Sequence, residues 1–217
     1  MSSNFRLALA GTQLYPITDR HLSGLSHAEQ VALLIDSGAT LIQLREKTDP
    51  AGEFFAHAEQ ALGVARTRGA KIIINDRVDI ALALGADGVH LGQEDLAPDA
   101  ARRILGDAAI IGFSAHTLEQ ALLAAQMPVD YVAIGPIFST ATKRSSNPPV
   151  GLDGLARVRD ALGATSIVAI GGITSENIEA TLKAGADAAS LIADIWRSVS
   201  DASAKTRQLL NLSQAFH

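Results

Sequence analysis

The chain has 217 residues, 47% of them hydrophobic, which is enough for one large domain or two small ones. A formal net charge of −5 argues against a broad nucleic-acid-binding surface, and the lack of cysteine excludes disulfides and thiolate-bound zinc. No stretch reaches the roughly 18–20 apolar residues of a membrane-spanning helix, and "MSSNFRLALAGTQLYP" at the start lacks a long apolar core and a cleavage site, so a cytoplasmic protein is expected.

Short apolar runs recur along the chain, each followed by a polar cluster and then a helix-like segment. In order they are QLYPIT (13–18), LIQLR (41–45), KIIIN (71–75), GVHLG (88–92), IIGFS (110–114), YVAIG (131–135), SIVAIG (166–171) and ASLIA (189–193). Nearly continuous Val, Ile and Leu is the pattern of strands buried on both faces. Between them lie amphipathic segments such as SHAEQVALLIDS and SENIEATLKA. Both open on Ser with a carboxylate in the first turn, which predicts helix N-termini there. "GA" followed by Thr, Lys or Asp recurs at 38, 69, 85, 163 and 185, ahead of strands, and marks helix ends where Gly takes a left-handed cap cheaply.

Eight such units predict one α/β domain over 1–217: a single (β/α)8 TIM barrel of the phosphate-binding type. Residues 1–12 are an expected N-terminal extension and 198–217 a C-terminal helix. A doubly wound open sheet is the alternative, but the glycine-rich dinucleotide fingerprint is missing after the first strand.

The polar clusters fall at the strands' C-terminal ends: TDR (18–20), REK (45–47), NDR (75–77), GQED (92–95), SAHT (114–117), STATKR (139–144), GG (171–172) and ADIW (193–196). In a barrel those ends form one rim, where active sites are built. Acids (Asp19, Glu46, Asp76, Glu94, Asp95) and cations (Arg20, Arg45, Lys47, Arg77, Lys143, Arg144) therefore converge. Gly171 and Gly172 before the seventh helix, with the Ile192–Ala193 turn, predict one phosphate site. Arg45, Lys47 and Lys143 predict a second, larger anion, while Asp76 and Asp95 would repel it unless a cation sits between. Diphosphate with Mg2+ explains both signs of charge, because Mg2+ typically joins one or two carboxylates to phosphate oxygens.

These landmarks resemble the thiamine-phosphate synthase family across about residues 13–197: LYPITDR, QLREK, INDRVDIALALGADGVHLGQEDL, GFSAHT, YVAIGPIFSTATK, GLDGL and VAIGGI. The resemblance implies a transferase that joins a hydroxymethylpyrimidine diphosphate to a thiazole phosphate and releases diphosphate. It further implies that Gln43, Leu44, Arg45, Glu46, Lys47 and Asn75 hold the pyrimidine diphosphate, with Ser114 and Lys143. Thr140, Ala141, Thr142, Gly172, Ile192 and Ala193 would receive the thiazole phosphate, and Asp76 and Asp95 would hold Mg2+. Arg45, Lys47 and Lys143 would stabilise the departing diphosphate. Ala193 departs from the family, which usually has Ser there. The 145–149 tail of the sixth loop reads as part of a lid. Barrels often pair, so a homodimer stays open beside a monomer.

Plainer readings accompany these. Asp76 with Arg77 could be a surface ion pair or a helix cap. Asp95 could cap the helix near Pro98, and Gly171–Gly172 could serve a tight turn alone. His90, within a strand, is expected to be structural, and Trp196 to anchor the last helix. Two functional alternatives remain: a thiazole-phosphate tautomerase using His116, which would not need QLREK with Asp76 and Asp95, and a non-catalytic sensor of thiamine precursors, for which Ala193 is the only support.

Overall fold

All eight apolar runs form strands, with boundaries within two residues of those read from the sequence. The computed structural model describes residues 4–140 and 148–214. The first half contains α1 (Asn4–Leu9), β1 (Leu14–Pro16), α2 (Arg20–Ser23), α3 (His27–Asp36), β2 (Leu41–Leu44), α4 (Ala51–Arg68), β3 (Lys71–Asn75), α5 (Val78–Leu84), β4 (Gly88–Leu91) and α6 (Pro98–Leu105). The second contains β5 (Ile110–Ala115), α7 (Leu118–Ala124), β6 (Tyr131–Ile134), α8 (Gly151–Leu162), β7 (Ile167–Ile170), α9 (Ile178–Lys183), β8 (Ala188–Leu191), α10 (Ala193–Trp196) and α11 (Ala202–Gln214).

The strands are all parallel, in the order β1-β8-β7-β6-β5-β4-β3-β2. A bridge between Ile17 and Gln43 joins the two ends and closes the (β/α)8 barrel. That seam is thin for a local reason. The Ile17 N–H goes to Leu191 of β8 and the Thr18 N–H to Gln43 of β2, so by alternation position 16 would donate to β2, and Pro16 has no N–H.

Alternate strand residues separate two apolar layers. Leu14, Ile42, Leu44, Ile72, Ile74 and Val89 face the helices. Tyr15, Leu41, Ile73, Ile110, Tyr131 and Val168 fill the barrel interior. The residues read as an N-terminal extension include α1, whose Phe5 and Leu9 are buried in that inner cluster. The Phe5 ring lies 4.3 Å from that of Tyr131 and meets Tyr15 edge-on at 6.0 Å. The barrel's N-terminal end is thus plugged, and the opposite rim is left for a ligand.

Local signals behave as expected at α3, where Ser26 and Glu29 form a reciprocal capping box. Gly38, Gly69, Gly85, Gly163 and Gly185 all take positive φ, as the GA repeat predicts. The residue after "GA" has its own role. Asp87 and Asp187, with Asp130 ahead of β6, each accept the N–H of a neighbouring strand, from Ile72, Ile167 and Ile111 at 2.8–2.9 Å. Lys71, Arg159 and Arg102 pair with the same carboxylates. The second predicted helix start is corrected. α9 begins at Ile178 with Asn177 before it, because the Thr174 N–H goes to Asn177 Oδ1 and the Ser175 N–H to Asp194 Oδ2. Trp196 is fully buried and donates to the Ile17 carbonyl at 2.8 Å, but it sits on the four-residue α10 and not on the last helix.

Candidate active site

The strand-to-helix connections at the C-terminal end bring most of the sequence-read residues together. Arg45 leaves β2 pointing along the inner face. Its guanidinium is held by Asp19 Oδ2 at 3.0 Å, and Asp19 is itself fixed because its other oxygen caps α2 through the Leu22 N–H. Asp19 was read only as one acid on the rim; its role in aiming Arg45 depends on a contact across 26 residues of sequence.

Glu46 and Leu44 stand differently from their neighbours. Leu44 is fully buried in the outer layer against the helices, so its side chain does not reach the barrel mouth. The Glu46 carboxylate turns back into its own loop. Oε1 accepts from the backbone of Lys47 and Thr48, from the Thr48 hydroxyl, and at 3.4 Å from the Asp49 N–H. Burial alone would raise its pKa, but these donors outweigh it and hold the group down at about 2. Its buried Oε2 has no hydrogen-bond partner and lies 3.8 Å from the equally unpartnered His27 Nε2. His27 Nδ1 contacts the Thr18 hydroxyl at 2.8 Å, which also receives the Arg45 N–H. Burial lowers the His27 pKa to about 4, so its ring is neutral at pH 7, although Glu46 pulls the other way. The loop carrying Arg45 and Lys47 is therefore braced from beneath.

Lys47, Asp76 and Asp95 meet above β3 and β4. The Lys47 ammonium pairs with Asp76 Oδ2. Asp76 is one of two described non-glycine residues with positive φ, at 63°, a left-handed conformation that Asp tolerates and that costs of order 1 kcal/mol or more. Arg77 pairs with Asp79 and not with Asp76, and neither Asp76 nor Asp95 caps a helix, since Arg77 and Ala97 occupy those positions without side-chain caps. Asp95 Oδ2 accepts the Gly92 N–H at 2.7 Å. Its pKa is raised by burial and by the adjoining Asp76 carboxyl, against the lowering effect of Gly92. Two acceptor groups sharing one spot, with an ammonium already drawn to them, suit a hard cation. Among the described residues no set of three or more His, Asp and Glu side chains converges as a ready-made metal site. Asn75 lies just inside, 6% exposed, with its Nδ2 lacking a partner.

Below this cluster a polar chain crosses the barrel interior. Gln43 Nε2 donates to the Tyr15 hydroxyl at 3.1 Å, which contacts the Tyr131 hydroxyl at 3.1 Å. Tyr131 meets His90 Nδ1 at 3.0 Å, and His90 Nε2 meets Ser114 Oγ at 2.9 Å. Gln43 and Ser114 were both read as site residues; the tyrosines between them were read only as strand residues.

The other side of the rim is built by β6 to β8. His116 Nδ1 donates to the Gly135 carbonyl at 2.6 Å, tying the fifth loop to the sixth. Gly171 and Gly172 take φ of 97° and 68°, and a Cβ at either would press within 2.7 Å of Pro136 or Phe138. The pair is thus needed for the close approach of the sixth loop. Ile192 precedes α10, with Ala193 its first residue. Nearby, Lys205 of α11 donates to the Ser175 hydroxyl at 3.1 Å and sits 3.8 Å from Asp194. This cation, too far along the sequence to be grouped with the rim, was missed. Thr140 is half-buried at the mouth. Ala141, Thr142 and Lys143, with the 145–147 part of the expected lid, lie outside the described residues.

The family model described as thiamine monophosphate synthase matches residues 14–195, which takes in the rim clusters above up to Ile195. The chain belongs to the thiamine monophosphate synthase family. It is 42% identical over 201 residues to the thiamine-phosphate synthase of Clostridium novyi, covering 92% of this chain and 98% of the relative. It is 41% identical over 198 residues to the Chloroflexus aurantiacus thiamine-phosphate synthase, covering 91% and 90%. Among solved structures, the thiamine phosphate pyrophosphorylase of Pyrococcus furiosus superposes with a TM-score of 0.85 at 34% identity, over 94% of this chain and 96% of that one. No helix among the described residues is long and apolar enough to cross a membrane.

Proposed function

We propose that the chain is a transferase that condenses 4-amino-5-hydroxymethyl-2-methylpyrimidine diphosphate with a thiazole phosphate to give thiamine phosphate and diphosphate. The observation that carries this reading is the Lys47–Asp76–Asp95 cluster, two facing carboxylates with a cation drawn to them beside the buried, unsatisfied amide of Asn75. A site for a neutral substrate has no use for that arrangement. A site for a diphosphate chelated to a divalent cation needs it.

Asp76 and Asp95 would hold Mg2+, which supplies charge neutralisation to a departing diphosphate. The left-handed backbone at Asp76 and the Gly92 N–H on Asp95 fix both carboxylates toward one point. Lys47, which pairs with Asp76 in the same cluster, would bind the diphosphate oxygens. Arg45, aimed by Asp19, presents its fork to the same group. Ser114 and Lys143 add a hydroxyl and a second ammonium. Gln43 and Asn75 orient the pyrimidine end. The electron-rich aminopyrimidine stabilises a methylene cation as its C–O bond breaks, and the thiazole nitrogen captures it. Such a reaction needs positioning and electrostatics and little general-base help.

The thiazole phosphate would lie against Gly172, the Ile192–Ala193 turn and Thr140 to Thr142. Asp194 already takes the Ser175 N–H and pairs with Lys205, so the segment before α9 has one N–H fewer for the phosphate. The test is direct incubation of the purified chain with both substrates and Mg2+. Thiamine phosphate and diphosphate are expected in equal amounts; a folded protein that yields neither refutes the reading.

A further inference from the structure

We propose that Tyr15, Tyr131 and His90 form a directed hydrogen-bond relay that sets the Ser114 hydroxyl as a donor toward the diphosphate and couples it to Gln43 across the barrel. The inference rests on the proposed placement of Ser114 beside an anion. Gln43 and Ser114 stand on β2 and β5, three strands apart in the sheet order. The four contacts between them run from 2.9 to 3.1 Å without a break.

The order of the protons follows from the two ends. A Tyr15 hydroxyl that accepts from the Gln43 amide has its own proton left for Tyr131. Tyr131 then donates to His90 Nδ1, so the single proton of the neutral imidazole sits on Nε2 and is donated to Ser114 Oγ. Ser114 has its own proton left over, facing the mouth, where a diphosphate oxygen accepts it. The opposite order would use the Ser114 proton on His90 and present bare lone pairs to an anion, besides requiring the Gln43 amide to turn over. Only the first order suits an anion at the rim.

The surroundings hold this order in place. Burial pushes both tyrosine hydroxyls above their ordinary pKa, so both remain donors. His90 stacks on Tyr131 with ring centroids 5.6 Å apart, and Phe5 packs on Tyr131 from the plugged end. Tyr15, Tyr131 and His90 are thus positioning residues: they act through Ser114 and Gln43.

The tautomer can be read without any activity. In full-length protein labelled with 15N-histidine, in mildly alkaline buffer, His90 is expected to carry its proton on Nε2, with Nδ1 unprotonated. Tyr131→Phe, which removes the donor to Nδ1, is expected to give a tautomer mixture. A wild-type His90 protonated on Nδ1, or one unchanged by Tyr131→Phe, overturns the relay. Coupling is read in turnover with Gln43→Ala, Ser114→Ala and the double variant. In wild-type background the combined loss should depart at least about fivefold from the product of the single losses. In Tyr131→Phe background it should be multiplicative within about twofold. Multiplicative losses in both backgrounds also overturn it. A protein that makes no thiamine phosphate refutes the proposed reaction, and the tautomer measurement still decides the relay.

Discussion

At the N-terminal end of the barrel, Asp87, Asp130 and Asp187 each accept a strand N–H and each face a cation. At the C-terminal end, Asp76 and Asp95 face each other, and the buried Asn75 Nδ2 has no hydrogen-bond partner. Both ends join the same strands to the same helices. The three carboxylates of the first end are satisfied internally and contribute stability. The second sets two carboxylates side by side next to an unpartnered buried amide, and arrangements of this kind mark function.

The sharpest way to break this comparison is to neutralise the facing carboxylates. Asp76→Asn and Asp95→Asn should each lower kcat/KM about 10²- to 10³-fold, read by steady-state assay across a Mg2+ titration. Thermal melts should barely move, because removing one of two like charges relieves repulsion. An unchanged Mg2+ dependence would remove the altered residue from the metal site.

The brace beneath the rim sharpens the comparison through pH. His27 has a folded pKa near 4 against an ordinary 6.5, so as pH falls the unfolded chain takes up the proton first. Its contribution is complete above pH 6.5 and is lost between about 6.5 and 4, on the order of 3 kcal/mol. Glu46, held at about 2 against an ordinary 4.5, contributes above pH 4.5 and loses that contribution as pH falls toward 2. Denaturant unfolding across this range should show a first acid slope that His27→Gln flattens. A slope unaltered by the substitution would assign it elsewhere.

At the N-terminal end, Asp187→Asn removes the carboxylate that pairs with both Arg159 and Arg6 while leaving a side chain of the same size. A loss of about 2 kcal/mol in unfolding free energy is expected, with kcat/KM within about twofold of wild type. A larger fall in turnover than in stability would contradict the division between the two ends. The smallest effect is expected at Ala193→Ser. Restoring a hydroxyl there should lower the KM for thiazole phosphate about three- to tenfold with kcat unchanged. No change would leave the backbone as the sufficient contact.

The barrel could be read from the sequence because its strands are buried on both faces, so each reads as an unbroken apolar run closed by a polar cluster. The rim could be read because this topology sends every strand's C-terminal end to one place. Contacts that depend on side-chain direction could not. Nothing in the sequence pairs Asp19 with Arg45, brings Lys205 from α11 to Ser175, or threads Gln43 to Ser114 through two tyrosines. Glu46 sits inside a charged motif and would be grouped with its neighbours by any linear reading, yet its loop turns it inward. Ser175 looked like a helix start because a Ser with a carboxylate in the following turn is a local pattern, whereas the group that takes its N–H, Asp194, comes from the next unit.

The central claim is that Asp76 and Asp95 make diphosphate binding depend on a divalent cation. Calorimetric titration with inorganic diphosphate, with and without Mg2+, tests it on the wild type and on the Asp76→Asn/Asp95→Asn double variant. Tight binding only with Mg2+, lost in the double variant while its melting temperature is kept, is the predicted result. Binding that is equally tight without Mg2+, or that survives both substitutions, would contradict it.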